Sequence, residues 1–258
     1  MISSMLIAFW VGAIIGSFLN VCIHRLPRHE SLIWPASHCP DCNRPIAWYD
    51  NLPLLSYLVL LGRCRSCRAV ISWRYPLIEL SNALGYALIV WWFGLGWPAV
   101  AYAALVSALL VITAIDIAHY IIPNVITLPG ILLGLLFAGT ILPVGLVNAV
   151  LGVLIGGGIL WFLAWVSPYL FGKEGMGGGD IKLLAMIGAF LGWKPTVLTM
   201  MVGAVVGSVV GGGLMVFKVM RRGQYLPFGP FLAFGAVVSL FFYQDIWYWY
   251  MGFLMAVP

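Results

Sequence analysis

Apolar residues in this chain come in long unbroken blocks rather than in the alternation of half-buried strands or the single stripe of surface helices, and each block stops at a cluster of charge, proline or glycine. Broken at those clusters, the sequence predicts helices over residues 4–23, 77–96, 99–116, 124–142, 145–167, 181–193, 196–217 and 228–243. A helix needs about 20 predominantly apolar residues to cross the hydrocarbon of a bilayer, so these blocks read as membrane spans. The sixth is short and begins at Asp180 after a Gly-rich loop. That predicts a partial or buried helix, because irregular backbone at membrane depth persists only where protein or water satisfies it. One sizeable polar segment, Arg25 to Tyr75, lies between the first and second blocks. The expected fold class is an all-α polytopic membrane protein of about eight transmembrane helices. It divides into a first helix (1–24), a four-cysteine insertion (25–76) and a membrane core (77–258).

Composition agrees with that pattern. Of 258 residues, 63% are hydrophobic and 8% are charged, and mean hydropathy is +1.04, whereas soluble domains carry about a quarter charged residues. The formal net charge of +5 is a topology signal. Threading eight spans with the N-terminus outside puts Arg25, Arg28, Arg44, Arg63, Arg65, Arg68, Arg74, Lys173, Lys182, Lys218, Arg221 and Arg222 on the inner side and leaves Lys194 outside. No basic, aromatic-interleaved soluble face exists to bind nucleic acid, so that class is excluded and the lipid bilayer, through its headgroups, is the partner of these cations. The first block has no Lys or Arg before it and no small-residue cleavage site, so it is a retained span rather than a secretory signal. Spaced glycines in later blocks, Gly152 and Gly156, then Gly203, Gly207 and Gly211, read as helix-packing positions.

The insertion is too small for a large core of its own, and a structural metal is a natural staple. Cys39-Pro-Asp-Cys42 and Cys64-Arg-Ser-Cys67 are two C-x2-C knuckles 21 residues apart, close to the pattern of four-cysteine zinc sites. Four thiolates complete a closed tetrahedral sphere. Disulfides are the alternative, but the arginine bias places the segment in the cytoplasm, where thiols stay reduced. Cys22, alone in the first span, reads as a small core hydrophobe.

Two acids lie directly against apolar spans between residues 100 and 240: Asp116, where the third span ends before Pro123, and Asp180, after Gly177, Gly178 and Gly179. A carboxylate beside hydrocarbon is costly and is usually kept for function. On the threaded topology both fall at the cytoplasmic side, so they can meet. The glycine loop, which begins at Gly175-Met176, lets a substrate backbone approach without Cβ interference. Two carboxylates sharing a site hold one proton between them, one acting as base on a water and the other as acid toward a carbonyl. If Asp180 caps the sixth helix, the helix dipole makes it the better base and Asp116 the better acid. The alternatives are an ordinary N-cap at Asp180, a carboxylate-relay transporter and a zinc-organised membrane scaffold. His119 reads as an interfacial, solvated histidine.

These motifs together resemble the type IV prepilin peptidase family, the bifunctional leader peptidases and N-methyltransferases of bacterial inner membranes. The resemblance rests on Gly16-Ser-Phe-Leu-Asn-Val21, Arg25-Leu-Pro27, both cysteine knuckles, Arg74-Tyr-Pro-Leu-Ile-Glu79-Leu, the Asp116 to Pro123 segment, Gly177-Gly-Gly-Asp180 and Leu226-Pro-Phe-Gly-Pro230. It implies that Asp116 and Asp180 are catalytic, that the substrate is a prepilin or pseudopilin cut after a glycine at the membrane boundary, and that S-adenosyl-L-methionine serves a methyl transfer. Gly62, Arg63 and Glu79 are the implied cofactor-binding candidates. Asn124 stands where the family often has an acidic residue, which argues against a third carboxylate at the site.

Overall fold

The computed structural model describes residues 1–171, 177–219 and 226–256, which form helices joined by turns, with no extended strand among them. Gly175, Met176, Lys173, Arg221 and Arg222 lie outside the described residues. The helices are α1 (Ile2–Arg25), α2 (Leu55–Val59), α3 (Arg74–Phe93), α4 (Trp97–His119), α5 (Asn124–Thr140), α6 (Leu146–Phe171), α7 (Gly178–Leu191), α8 (Trp193–Val216) and α9 (Gly229–Ala256). All but α2, which belongs to the insertion, overlap the eight apolar blocks, although α9 runs on to Ala256, well past the expected end at residue 243. Six of them, α1, α3, α4, α6, α8 and α9, are long and apolar enough to cross a membrane. The others are shorter: α5 has 17 residues and α7 has 14, or about 25 and 21 Å of helix at 1.5 Å per residue. The chain forms two compact units, Met1–Val111 and Ile112–Pro258.

In the first unit α1 and α3 pack antiparallel, their backbones close where α1 has glycine. A Cβ on Gly12 would fall 2.9 Å from the Ala83 Cα, and one on Gly16 would fall 2.7 Å from the Glu79 Cα. Buried polar groups knit the seam, since in apolar surroundings each needs a partner. Asn82 Nδ2 donates to the Gly12 carbonyl at 2.8 Å, Ser107 Oγ donates to Asn82 Oδ1 at 2.9 Å, and Asn20 Nδ2 donates to the Tyr75 carbonyl at 3.1 Å. Arg25 turns inward rather than toward headgroups: its guanidinium donates to the carbonyls of Ser31 (2.8 Å) and Pro35 (2.6 Å), folding the start of the insertion against the end of α1. Cys22 is buried, as a core hydrophobe should be.

The second unit is built around α7, which packs on α5, α6, α8 and α9. Its residues from Leu183 to Leu191 are all buried, which accounts for its shortness: a helix wrapped in protein need not match the thickness of lipid. Gly152 of α6 and Gly188 of α7 meet backbone to backbone, and a Cβ on either would overlap the other's peptide unit. A Cβ on Gly156 would fall 2.8 Å from the Thr196 methyl, and on α8 one on Gly203 would fall 3.1 Å from the Phe231 carbonyl oxygen. The spaced glycines are thus packing positions. At the end of this unit where α7 gives way to α8, the Lys194 ammonium lies 5.5 Å from the Trp193 ring centroid and 5.3 Å from that of Trp247, the aromatic and cationic company of a membrane interface.

Replacing Gly188 with Val forces α6 and α7 apart, and overpacking of this kind costs about 1–3 kcal/mol or more. The expected result is a clear fall in the melting temperature of detergent-solubilised protein. The same change at Gly158, where a Cβ meets nothing within 4 Å, should leave it unmoved.

Candidate active site and thiol centre

The insertion folds around its cysteines by repeating one backbone turn. In the first knuckle the Asn43 N–H returns to the Cys39 carbonyl (2.8 Å) and the Cys39 N–H donates to the Arg44 carbonyl (3.0 Å). In the second, the Arg68 N–H returns to the Cys64 carbonyl (3.0 Å) and the Cys64 N–H donates to the Ala69 carbonyl (2.8 Å). Asn43 (φ 55°) and Arg68 (φ 62°) occupy equivalent left-handed positions, and one isolated bridge closes each turn, His38 to Pro45 and Arg63 to Val70. These turns gather the four sulfurs within 4.8 Å of one another, with Cys39 Sγ and Cys67 Sγ 3.7 Å apart. All four cysteines are free thiols. A tetrahedral ion with bonds of about 2.3 Å to sulfur places its ligands about 3.8 Å apart, so the donor set fits one such metal ion.

Protonation suits that role. Backbone N–H groups of Cys67 and Ser66 pull the Cys64 thiol down to about 7. Cys67, although the Ala69 N–H favours its thiolate, is pushed up to about 12 by partial burial and by the other three sulfurs crowded beside it. Metal binding displaces such shared protons. Arg65 braces the second knuckle: its Nε and Nη2 grip Asp50 at 2.6 to 3.1 Å, holding the Asp50 carboxyl below its ordinary range, and its guanidinium lies over the Tyr49 ring.

Glu79 is buried on α3, and its Oε2 accepts the Leu54 N–H at 2.8 Å, fastening the chain before α2 to the membrane helix. Gly62 takes a left-handed turn (φ 67°) against the Tyr57 ring, and Arg63 is exposed. No hydrogen bond among the described residues joins Gly62 or Arg63 to Glu79.

The aspartates occupy the other unit, and there they are neighbours. Asp116, in the last turn of α4, is 5% exposed, and Asp180, in the first turn of α7, is 9% exposed. Asp180 feels the charge of Asp116. The helix starts at the cap Gly177, whose φ is −74°, so Asp180 is its third residue and not an N-cap. Its carboxylate reaches back to the Gly177 N–H, the geometry of an acidic N3 position. Its Oδ1 is buried without a hydrogen-bond partner among the described residues. Gly177 and Gly178 are exposed beside it, and a Cβ on Gly178 would meet nothing within 4 Å. Gly179 is different: a Cβ there would fall 2.8 Å from the Ile122 Cβ.

Sequence reasoning missed Gly229. Its N–H donates to Asp116 Oδ2 at 3.0 Å, and a Cβ there would fall 2.7 Å from that same oxygen. Gly229 opens α9, with Pro230 following at a position that suits proline. The Gly-Pro pair was visible in sequence; the separation of 113 positions between Gly229 and Asp116 hid the contact. Asp116 is therefore also met by a helix N-terminus, so the dipole no longer separates a base at Asp180 from an acid at Asp116. His119 is exposed, in keeping with a solvated histidine.

Residues 10–93 match the Bacterial Peptidase A24 N-terminal domain and residues 103–212 match the Type IV leader peptidase family. Proteins named prepilin leader peptidase/N-methyltransferase are similar along nearly the whole chain. The one from Aeromonas salmonicida is 38% identical, covering 96% of this chain and 94% of its own length. Those from Stutzerimonas stutzeri (38%; 96% and 94%) and Pseudomonas aeruginosa (37%; 94% and 92%) are comparable. No solved structure matches the chain.

The thiol geometry predicts about one zinc ion per purified chain by elemental analysis, released on acidification because protons compete for the sulfurs. Cys39→Ser, which alters the buried ligand, should abolish stoichiometric zinc, and Cys22→Ser should not.

Proposed function

Because this chain belongs to the type IV leader peptidase family, we propose that it cleaves the leader from type IV prepilins or pseudopilins and methylates the amino group that cleavage exposes, with Asp116 and Asp180 as the catalytic pair. The observation that carries this reading is the presence of two buried carboxylates, Asp180 within the field of Asp116, beside the exposed Gly177 and Gly178. Backbone without side chains lets an extended peptide lie against the acids.

The pair holds one proton. The ionised carboxylate takes a proton from water as the hydroxyl adds to the scissile carbonyl carbon, while the carboxylic acid gives its proton to the carbonyl oxygen. Collapse of the resulting diol breaks the C–N bond: the carboxylate that gave its proton takes one back from a diol hydroxyl, and the proton taken from water passes to the leaving amine, so the pair again holds one proton. The Gly229 N–H keeps Asp116 oriented through both steps, and the first turn of α7 supports charge on Asp180. Since Trp193, Lys194 and Trp247 mark the opposite end of this unit, the acids sit near one membrane face. The Arg and Lys distribution makes that face cytoplasmic in a bacterial inner-membrane protein with its N-terminus outside.

In that arrangement residues 1–24 are the first span, 25–76 a cytoplasmic domain stapled by zinc on Cys39, Cys42, Cys64 and Cys67, and 77–258 the peptidase core. Helices α5 and α7 complete eight crossings, α7 shielded by its neighbours. S-adenosyl-L-methionine, when bound, supplies the methyl group to the new amine. The buried Glu79 carboxylate, with no cationic partner among the described residues, suits a cationic group of that cofactor, and Gly62 and Arg63 are the other residues proposed to hold it.

Asp116→Asn and Asp180→Asn should each lower cleavage of a prepilin by at least about 100-fold, the range for loss of a general acid or base, while the protein still accumulates in the membrane. Full cleavage by the double variant would sink the aspartyl mechanism. Gly229→Val should also inactivate, because the added side chain displaces Asp116, whereas Gly178→Ala should retain most activity.

A further inference from the structure

Asp116 lies near the end of α4 and Asp180 at the start of α7, so their separation depends on what ties the α4–α5 linker to the first turn of α7. Two contacts do so. Lys182, two residues beyond Asp180, donates from Nζ to Asn124 Oδ1 at 2.8 Å, and Asn124 is the first residue of α5. Ile122 fits between two helix starts: its Cβ lies 2.8 Å from where a Gly179 Cβ would be, and its Cδ1 lies 3.4 Å from where a Gly229 Cβ would be. The linker is thus wedged against α7, which carries Asp180, and against α9, whose first N–H holds Asp116.

The chemistry of the tie is informative. No carboxylate among the described residues pairs with Lys182, so its bond is to a neutral amide. What the tie asks of position 124 is an oxygen acceptor within reach of the ammonium.

We propose that the Asn124–Lys182 hydrogen bond, with the Ile122 wedge behind it, is a positioning device that holds Asp116 and Asp180 at their working separation. Both residues are positioning residues and neither touches the reacting atoms. The inference rests on the reading of the two aspartates as the peptidase pair. Misplacement of reacting groups by about 1 Å can cost on the order of 100-fold in rate, so a tie of one hydrogen bond should register in kcat.

The test is steady-state cleavage of a prepilin by the full-length protein in detergent. Asn124→Leu and Lys182→Met should each lower kcat about 10-fold with KM changed by less than about twofold. The double variant should be no slower than either single, because both remove the same bond. Asn124→Asp, which keeps an acceptor for Lys182, should hold kcat within about threefold of the unsubstituted protein. Losses that multiply in the double variant, losses confined to KM, or unchanged kcat in both singles would overturn the positioning role. If Lys182→Met does not accumulate, Asn124→Leu against Asn124→Asp decides, and equal kcat in those two overturns it. Failure of the unsubstituted protein to cleave would overturn the peptidase reading and this inference with it, whereas normal cleavage with unaffected singles overturns the positioning alone.

Discussion

A carboxylate removed from water must find hydrogen-bond donors or opposing charge, and this constraint organises the second unit. Both acids find their donors at the beginnings of helices, where N–H groups have no partner within the helix. Asp116 takes the first N–H of α9 and Asp180 turns back to the cap of α7. That solution requires two helix starts and one helix end to meet, and it accounts for the glycines there. At Gly229 and Gly179 a Cβ would strike Asp116 or Ile122. The unusual burial of α7 follows from the same demand, since its first turn must be held still by the helices around it.

The insertion obeys a different economy. Between Arg28 and Arg74 its only helices are short, so its shape comes from two copies of one turn, a gripped Asp50–Arg65 pair and a few fastenings to the membrane helices. Arg25 and Glu79 are those fastenings, each a charged side chain buried by its grip on loop backbone. Side chains that in a list of charges read as surface groups are in fact the joints of this unit.

Much of this was legible in the sequence, for identifiable reasons. Long apolar blocks and their breakers located the eight helices outside the insertion, six of them at the length that the solvent sets for a membrane span. The cysteine spacing announced a four-thiol cluster because the turn that presents two sulfurs is local. Asp116 and Asp180 stood out because acids are rare where they lie. What escaped was non-local: the Gly229 contact, the inward turn of Arg25, and the three-residue offset that puts Asp180 inside its helix rather than at its cap. An Asp after glycines is as good a cap as an N3 residue on local grounds, and only the surrounding packing chooses.

The shortness of α5 has a consequence for the surrounding lipid. Unlike α7 it is partly bare: Val125, Leu128, Leu132 and Leu136 are exposed along one side. If α5 crosses the membrane as proposed, an apolar stripe on a helix of about 25 Å meets hydrocarbon about 30 Å thick. Such hydrophobic mismatch is relieved by thinning the bilayer or by drawing interfacial residues inward, at a modest cost per ångström. In the proposed eight-span arrangement, thinning beside α5 would bring headgroups and water closer to its ends, and Asn124, at one of those ends, follows directly on the linker from Asp116.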